Sequence, residues 1–368
     1  MKVFLDWYLW YYLLLIFFGW IYKRQKIGYL ASDNGSSLKS EDDYRAGVLF
    51  SFLVFLPLVL IAGYRDIWFA DTYAYVGVYK SLPSSVSEYL KKVDWNGKDP
   101  GFYLFSTLIK SIFGSDYRIW LVIIAAISGM SLAIGYRRYS INIVISAFLF
   151  FASTEFIGWM MNGMRQFLVA ALLFVFFPLL QKRKYITFLL LVLLLSTVHQ
   201  TCVIVIPLFL CALGKPFNKK TLIFLVLCLF AVIFVGDFLN LLNDSLQDTA
   251  YKNSVSYFAS DNGTNFLRVL VNAIPSIIAI IKRKEITDKT PEIIRISINM
   301  SLITTGFYFV SMFTSGIHLG RIPIYFSLFN YILLPWELKN LFDKKTGKIL
   351  TGVMFVLYFI YYCIAMGW

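Results

Sequence analysis

Four arginines, Arg65, Arg165, Arg268 and Arg321, are the residues of this chain best suited to chemistry on an anion. With them stand Asp66, Asp71, Asp99, Gln166, Gln200 and the only two histidines, His199 and His318. Each lies where an apolar run gives way to polar sequence. An arginine presents a planar fork of donors that pairs two oxygens of a phosphate and stays charged when desolvated. A single one at such a boundary is explained equally well by a side chain snorkelling to an interface; four on one side favour a shared anionic ligand. His199 can take a proton from a hydroxyl near neutral pH, or be a core histidine satisfied by a backbone carbonyl. His318, just before Gly320-Arg321, reads as structural or as a substrate contact. Asp66 suits a structural pairing with arginine as well as catalysis. Asp66 and Asp71 could share a metal with substrate phosphates, but they lack a short Asp-x-Asp spacing, and no metal is expected. No Gly-rich phosphate loop, serine nucleophile elbow or thiol dyad is present.

The elements that position these residues follow from composition. The 368 residues are 59% hydrophobic, 18% aromatic and only 15% charged, with a mean hydropathy of +0.69. A soluble domain carries about a quarter charged residues. Apolar runs recur throughout, long enough as helices to cross about 30 Å of hydrocarbon. The expected fold is one all-α polytopic membrane domain, residues 1–368. The net charge of +13 is confined to clusters between apolar runs, which is a topology signal facing anionic lipid and not a nucleic-acid footprint. The 4 cysteines lie inside apolar runs without metal-type spacing, which predicts small core residues. The first run, Phe4–Tyr22, is too long and aromatic for a cleavable signal and reads as a retained span.

Basic clusters at Lys23–Arg45, Arg137-Arg138, Lys182–Lys184, Gly214–Lys220, Lys282–Arg295 and Lys339–Lys348 mark the inner loops. Alternation then gives about 12 spans with both termini outside: 4–22, 46–63, 117–136, 141–158, 163–180, 185–198, 200–213, 221–237, 265–281, 294–314, 321–338 and 349–366. On this map every residue of the opening group faces outward. The outer loops are 64–116 and 237–265, and the short apolar stretch 102–113 is expected to be an interfacial or re-entrant helix on that side. The runs 185–198 and 201–213 lie between two inner loops, so the chain must turn near His199. Each arm rises only about 20 Å, which places the turn below the outer surface, beside a recessed wet pocket.

Several of these segments resemble one family in order along the chain. Gly63-Tyr64-Arg65 with Asp71-Thr72 and Tyr75 is similar to the segment after the second span of EpsG-type and Wzy-type polysaccharide polymerases. Asp99-Pro100-Gly101-Phe102 resembles their Glu-Pro-Gly-aromatic motif. Asn162-Gly163-Met164-Arg165-Gln166 resembles their Arg-Gln motif opening a span, and Val198-His199-Gln200-Thr201 their His-x-Ser turn. Arg321-Ile322-Pro323-Ile324-Tyr325 resembles their late Arg-x-x-x-Tyr motif. Ala70 stands where a glycine is usual, Asp99 replaces glutamate and Thr201 replaces serine.

The resemblance implies a membrane glycosyltransferase of the bacterial cytoplasmic membrane. It would join oligosaccharide repeat units carried on polyprenyl (undecaprenyl) diphosphate, at the outer face, without a cofactor and without metal. It further implies the lipid bilayer, a chain-length regulator and a flippase as partners. Arg65, Arg165, Arg268 and Arg321 are then the diphosphate ligands. Arg165 and Arg321 carry the departing charge, and His199 or Asp71 activates the acceptor hydroxyl. Asp66, Tyr75, Asp99, Asn162, Gln166, Gln200, His318 and Tyr325 are the candidate substrate contacts. Two other classes fit less well. A flippase of lipid-linked oligosaccharides would show inverted repeats and broken helices, and a membrane O-acetyltransferase would leave the arginines with less to do.

Overall fold

The computed structural model describes residues 2–32, 44–246 and 263–368. Among them the chain is helical, without strands. In order the helices are α1 (Lys2–Ser32), α2 (Val48–Gly63), α3 (Thr72–Ser81), α4 (Val86–Lys92), α5 (Pro100–Phe113), α6 (Tyr117–Tyr139) and α7 (Ile143–Ala152). A π-helical turn at Phe156–Asn162 leads into α8 (Met164–Phe176), α9 (Pro178–Gln181) and α10 (Tyr185–Ser196). A 3-10 turn at Gln200–Ile204 precedes α11 (Val205–Ala212), α12 (Lys219–Ile233), α13 (Val235–Leu246), α14 (Phe266–Ile281) and α15 (Glu292–Met312). After a 3-10 turn at Leu319–Arg321 come α16 (Ile324–Ser327), α17 (Asn330–Asn340) and α18 (Lys344–Ala365).

The chain is a multi-pass membrane protein. Among the described residues, 5 helices are long and apolar enough to cross a bilayer, or 7 if each of two bent pairs is one span. The other expected crossings are shorter apolar helices, such as Val48–Gly63 and Phe266–Ile281, or, over 321–338, a succession of short pieces. Length alone therefore supports fewer crossings than the about 12 read from the charge pattern. The expected inner loop at 23–45 and outer loop at 237–265 lie partly outside the described residues. The start of the latter is not a loop. After a 103° bend from α12 it continues as α13, because Phe238 and Leu239 pack on Cys228, Val310 and Leu319.

Helix α15 is the innermost long span, with α1 and α18 at the periphery. Its buried residues include Ser297, Asn299, Ser301 and Thr304, small or polar groups that allow close helix approach inside a membrane. Asn299 donates to the Ala212 and Lys215 carbonyls at 2.9 Å each and accepts from the Phe217 amide at 2.9 Å. Its amide is thereby used on both sides, clamping the turn after α11. Helices α2 and α6 meet through glycines: a Cβ on Gly63 would collide with Val122, and one on Gly129 with Val59.

The segment 64–116 is built on α3 and α5. Helix α5 buries Phe102, Ser106, Ile109 and Lys110 and exposes Leu108, Ile112 and Phe113. With 14 residues it spans about 21 Å, less than the about 30 Å of a bilayer's hydrocarbon core. The buried Lys110 ammonium donates to the carbonyls of Lys80 (2.8 Å) and Leu82 (2.5 Å). A cation thus closes the carbonyl end of α3, where the helix dipole favours it.

Gly129→Leu should force α2 and α6 apart. Overpacking of this kind costs about 1–3 kcal/mol, so the variant should melt at lower temperature in detergent than the wild type. An unchanged melting temperature would show that the contact yields freely.

Candidate active site

The site begins with a buried aspartate in an unusual conformation. Asp99 is fully buried and adopts φ 55°, ψ 47°, the left-handed region that aspartate tolerates better than most residues. Pro100 follows at the first position of α5, where its missing N–H costs nothing. Gly101 comes next because the helix start presses against the α10 turn. Its N–H donates to the Thr197 carbonyl at 2.8 Å, and a Cβ there would overlap Thr197. The Asp-Pro-Gly sequence is therefore a docking device.

What it docks on is the histidine turn. The Cys202 thiol reaches the Val192 carbonyl at 3.6 Å, a contact possible only if the chain reverses between them, as expected near His199. The Asp99 carboxylate gathers three partners from distant segments. Oδ2 receives Arg165 Nη1 at 2.8 Å and faces His199 Nδ1 at 3.3 Å. Oδ1 accepts the Gln200 amide N–H at 3.2 Å. The Gln200 side chain donates to the Gly97 carbonyl at 3.2 Å, tying the two loops a second time. With Nδ1 turned to Asp99, Nε2 is the ring nitrogen left for another partner.

Burial by itself would raise the Asp99 pKa. The His199 hydrogen bond and charge, the Arg165 guanidinium and the Gln200 amide outweigh it, and the carboxyl is held below the ordinary aspartate range. Arg165 also hydrogen-bonds the Tyr103 hydroxyl at 3.2 Å and lies 5.4 Å from the Tyr75 ring centroid, within cation–π range. Lys98 completes the positive side. Its pKa is lowered by burial, then by the charge of Arg165, against an opposing effect of Asp99, and further by Arg321. These cations feel one another and share one region.

Arg321 belongs to the same assembly through its backbone: Gln166 Nε2 donates to the Arg321 carbonyl at 2.9 Å. Tyr325, one turn on, pairs its hydroxyl with Thr201 at 2.9 Å. The arrangement thus brings together Asp99, Arg165, Gln166, His199, Gln200, Arg321 and Tyr325. Asp71, just before α3, and Tyr75 within it line the same cleft as Arg165, and Asn162 accepts the Asp71 amide N–H at 3.2 Å.

The remaining candidates lie differently. Arg65 is buried and engaged within the protein, donating to Ala62 O at 2.6 Å, Thr72 Oγ1 at 2.9 Å and Met164 Sδ at 3.2 Å. Asp66 accepts the Trp68 amide at 2.8 Å in a local turn. His318 lies in the bend before the 3-10 turn, its amide on Ser315 Oγ at 3.1 Å. Ala70, at the position where the family motif has glycine, has φ 45°, so the backbone there does take the glycine-favoured conformation.

Arg268 sits in a second polar group. The expected span 141–158 is broken by an 83° bend between α7 and the π-turn, with Thr154 at φ 67°. At the break lies Glu155, fully buried, accepting from the Tyr308 hydroxyl at 3.3 Å. Arg268 lies 5.2 Å from the Trp159 ring centroid. Glu155 Oε2, Trp159 Nε1 and Arg268 Nε are buried without a hydrogen-bond partner. Sequence reasoning missed Glu155 and Lys98. A lone glutamate inside an apolar run was the available signal for the first, and adjacency to Asp99 for the second.

Fold and site together define a multi-pass helical membrane protein with a buried Asp–Arg–His constellation bordered by further cations. A family model described as the EpsG family matches residues 48–367; the chain belongs to the EpsG family. That membership suggests a membrane function of the polysaccharide-polymerase type. No curated protein and no solved structure matches the chain.

Two outcomes follow. Because its pKa is lowered, Asp99 stabilises the fold fully above the unfolded aspartate value of about 3.9 and loses that contribution as pH falls through the folded one. Asp99→Asn should therefore melt below wild type at neutral pH, the gap closing only under about pH 4; a gap independent of pH would remove the carboxylate from this role. Ala70→Gly should raise the melting temperature, since the left-handed conformation costs a non-glycine residue about 1–2 kcal/mol; a lower one would refute the strain.

Proposed function

We propose that the chain is a glycosyltransferase that lengthens polysaccharide from polyprenyl-diphosphate-linked repeat units, at the outer face of the bacterial cytoplasmic membrane. The observation that carries this reading is a single buried carboxylate that orients a guanidinium and an imidazole side by side, with Arg321 and Lys98 close by. The reaction needs both groups. An acceptor sugar hydroxyl attacks the anomeric carbon of the donor chain, and the bond from that carbon to the diphosphate oxygen breaks. The electron pair leaves on the diphosphate, where positioned cations meet the developing charge. The hydroxyl proton passes to a base. His199 is the first candidate for the base and Asp71 the second. Arg165 and Arg321 take the diphosphate, with Lys98 assisting, while Asp99 acts through its neighbours as a positioning residue. Tyr75, Gln166, Gln200 and Tyr325 border the region that sugar would occupy. A lipid diphosphate is already a good leaving group, so neither a strong general acid nor a metal is required.

A carrier of lipid-linked oligosaccharides is the second reading, because two bent helix pairs resemble the discontinuous helices of transporters. Purified protein given lipid-linked repeat units separates them: a ladder of longer glycans supports the polymerase, and movement without lengthening the carrier. Within the first reading, Arg165→Ala and Arg321→Ala should each abolish the ladder in folded protein. His199→Ala should slow transfer by about 10²–10⁴, the usual contribution of a positioned base. Chelation by EDTA should leave the rate unchanged. Full activity in both arginine variants would defeat the charge-stabilisation argument, and an undiminished rate in His199→Ala would return the histidine to a structural role.

A further inference from the structure

The cleft beside Arg165 has two unlike ends, and they point to one kind of occupant. It offers about 200 Å³ between α3, α5 and the start of α6. Asp71, Tyr75 and Arg165 form its polar end. Its body is lined by Val78, Tyr79, Leu82, Phe102 and Trp120.

The aromatic walls look suited to sugar, but their polar atoms are already committed. The Tyr79 hydroxyl donates to the Gly114 carbonyl at 3.0 Å. Trp120 Nε1–H donates to Ser106 Oγ at 3.1 Å, and that hydroxyl in turn donates to the Phe102 carbonyl at 2.9 Å. The Tyr79 and Trp120 rings stack on each other, centroids 4.6 Å apart and nearly parallel at 11°. A sugar in the body of the cleft would lose water from its hydroxyls and find few partners, an unfavourable exchange. A hydrocarbon loses nothing there. The helices on either side are already dressed for lipid, with Val78 of α3 and Leu108, Ile112 and Phe113 of α5 exposed.

Resting on the function proposed above, we infer that this cleft holds the first isoprene units of the lipid carrier, leading from the diphosphate at Arg165 out to the bilayer between α3 and α5. A chain that moves from lipid into an apolar cleft gains no hydrophobic free energy, since the bilayer is equally apolar. The cleft instead sets register. It seizes the carrier next to its head group, so that the diphosphate arrives at Arg165 and not elsewhere along the membrane surface. Asp71, at the same polar end, disfavours a head group that overshoots toward the start of α3, because like charges repel.

The test is photolabelling that does not depend on turnover. The full chain in phosphatidylcholine vesicles is irradiated with undecaprenyl diphosphate bearing a diazirine in its first isoprene units. Label is expected in the peptides covering Thr72–Ser81 and Pro100–Phe113. Unlabelled polyprenyl diphosphate should compete it away, and a tenfold excess of phosphatidylglycerol should not. Val78→Trp and Ala74→Trp, both at exposed positions of α3 lining the cleft, should each reduce labelling about tenfold while keeping the wild-type melting temperature. Label concentrated on other helices would overturn the inference, as would equal competition by phosphatidylglycerol or full labelling in both folded variants. Because labelling needs no glycan transfer, a failed ladder assay would refute the proposed reaction while leaving the cleft still testable. An intact ladder with label elsewhere would refute the cleft alone.

Discussion

A carboxylate with no access to water must be paired or it will not stay charged, and the candidate site of this molecule is arranged around one such group. Asp99 is satisfied by a guanidinium, an imidazole and a main-chain amide that belong to α8 and to the turn after α10. Removing one partner from a buried pair generally costs about 3–5 kcal/mol. The partners are therefore held by a strong physical demand, and their mutual geometry is not left to flexible surface loops. The left-handed backbone at Asp99 and the absence of a side chain at Gly101 both serve that demand, the first by aiming the carboxylate and the second by letting α5 approach.

This explains how a site can be precise when the segment 64–116 that carries part of it is made of short helices. Neither α3 nor α5 has the length to be anchored as a span. Each is tied by electrostatics at one end instead: Lys110 draws the last carbonyls of α3 onto α5, and Asp99 fastens the start of α5 to the histidine turn. The aromatic faces of Tyr79, Phe102 and Trp120 pack together as walls of the cleft between them. The result is a rigid shelf beside the cations, built on residues whose polar atoms are used up internally.

Much of the site was legible because polar residues interrupting apolar runs stand out. Asp99, Arg165, His199 and Arg321 were each visible in this way, and so was the reversal near His199, from the length of the flanking arms. What could not be read was which of them would meet. Asp99 and His199 are 100 positions apart, and no local periodicity carries that pairing. Arg65 shows the converse. Its sequence context matches that of Arg165, Arg268 and Arg321, yet its guanidinium donates within the protein to Ala62, Thr72 and Met164. The fold was legible as a helical membrane domain, but charge alternation counts a crossing for every apolar run and is blind to breaks. The bend at 153–155 is invisible to it because Glu155 is a single charge, compensated by groups such as Tyr308 that come from the far end of the chain.

The dependence of the site on late sequence has a consequence for biosynthesis. The Arg165 helix is braced through Gln166 by the backbone of Arg321, and the histidine turn through Thr201 by Tyr325. A ribosome threading this chain into a membrane delivers those braces 155 and 124 residues after the side chains they hold. A chain still short of Arg321 therefore carries Arg165 and His199 without two of the bonds that brace their segments.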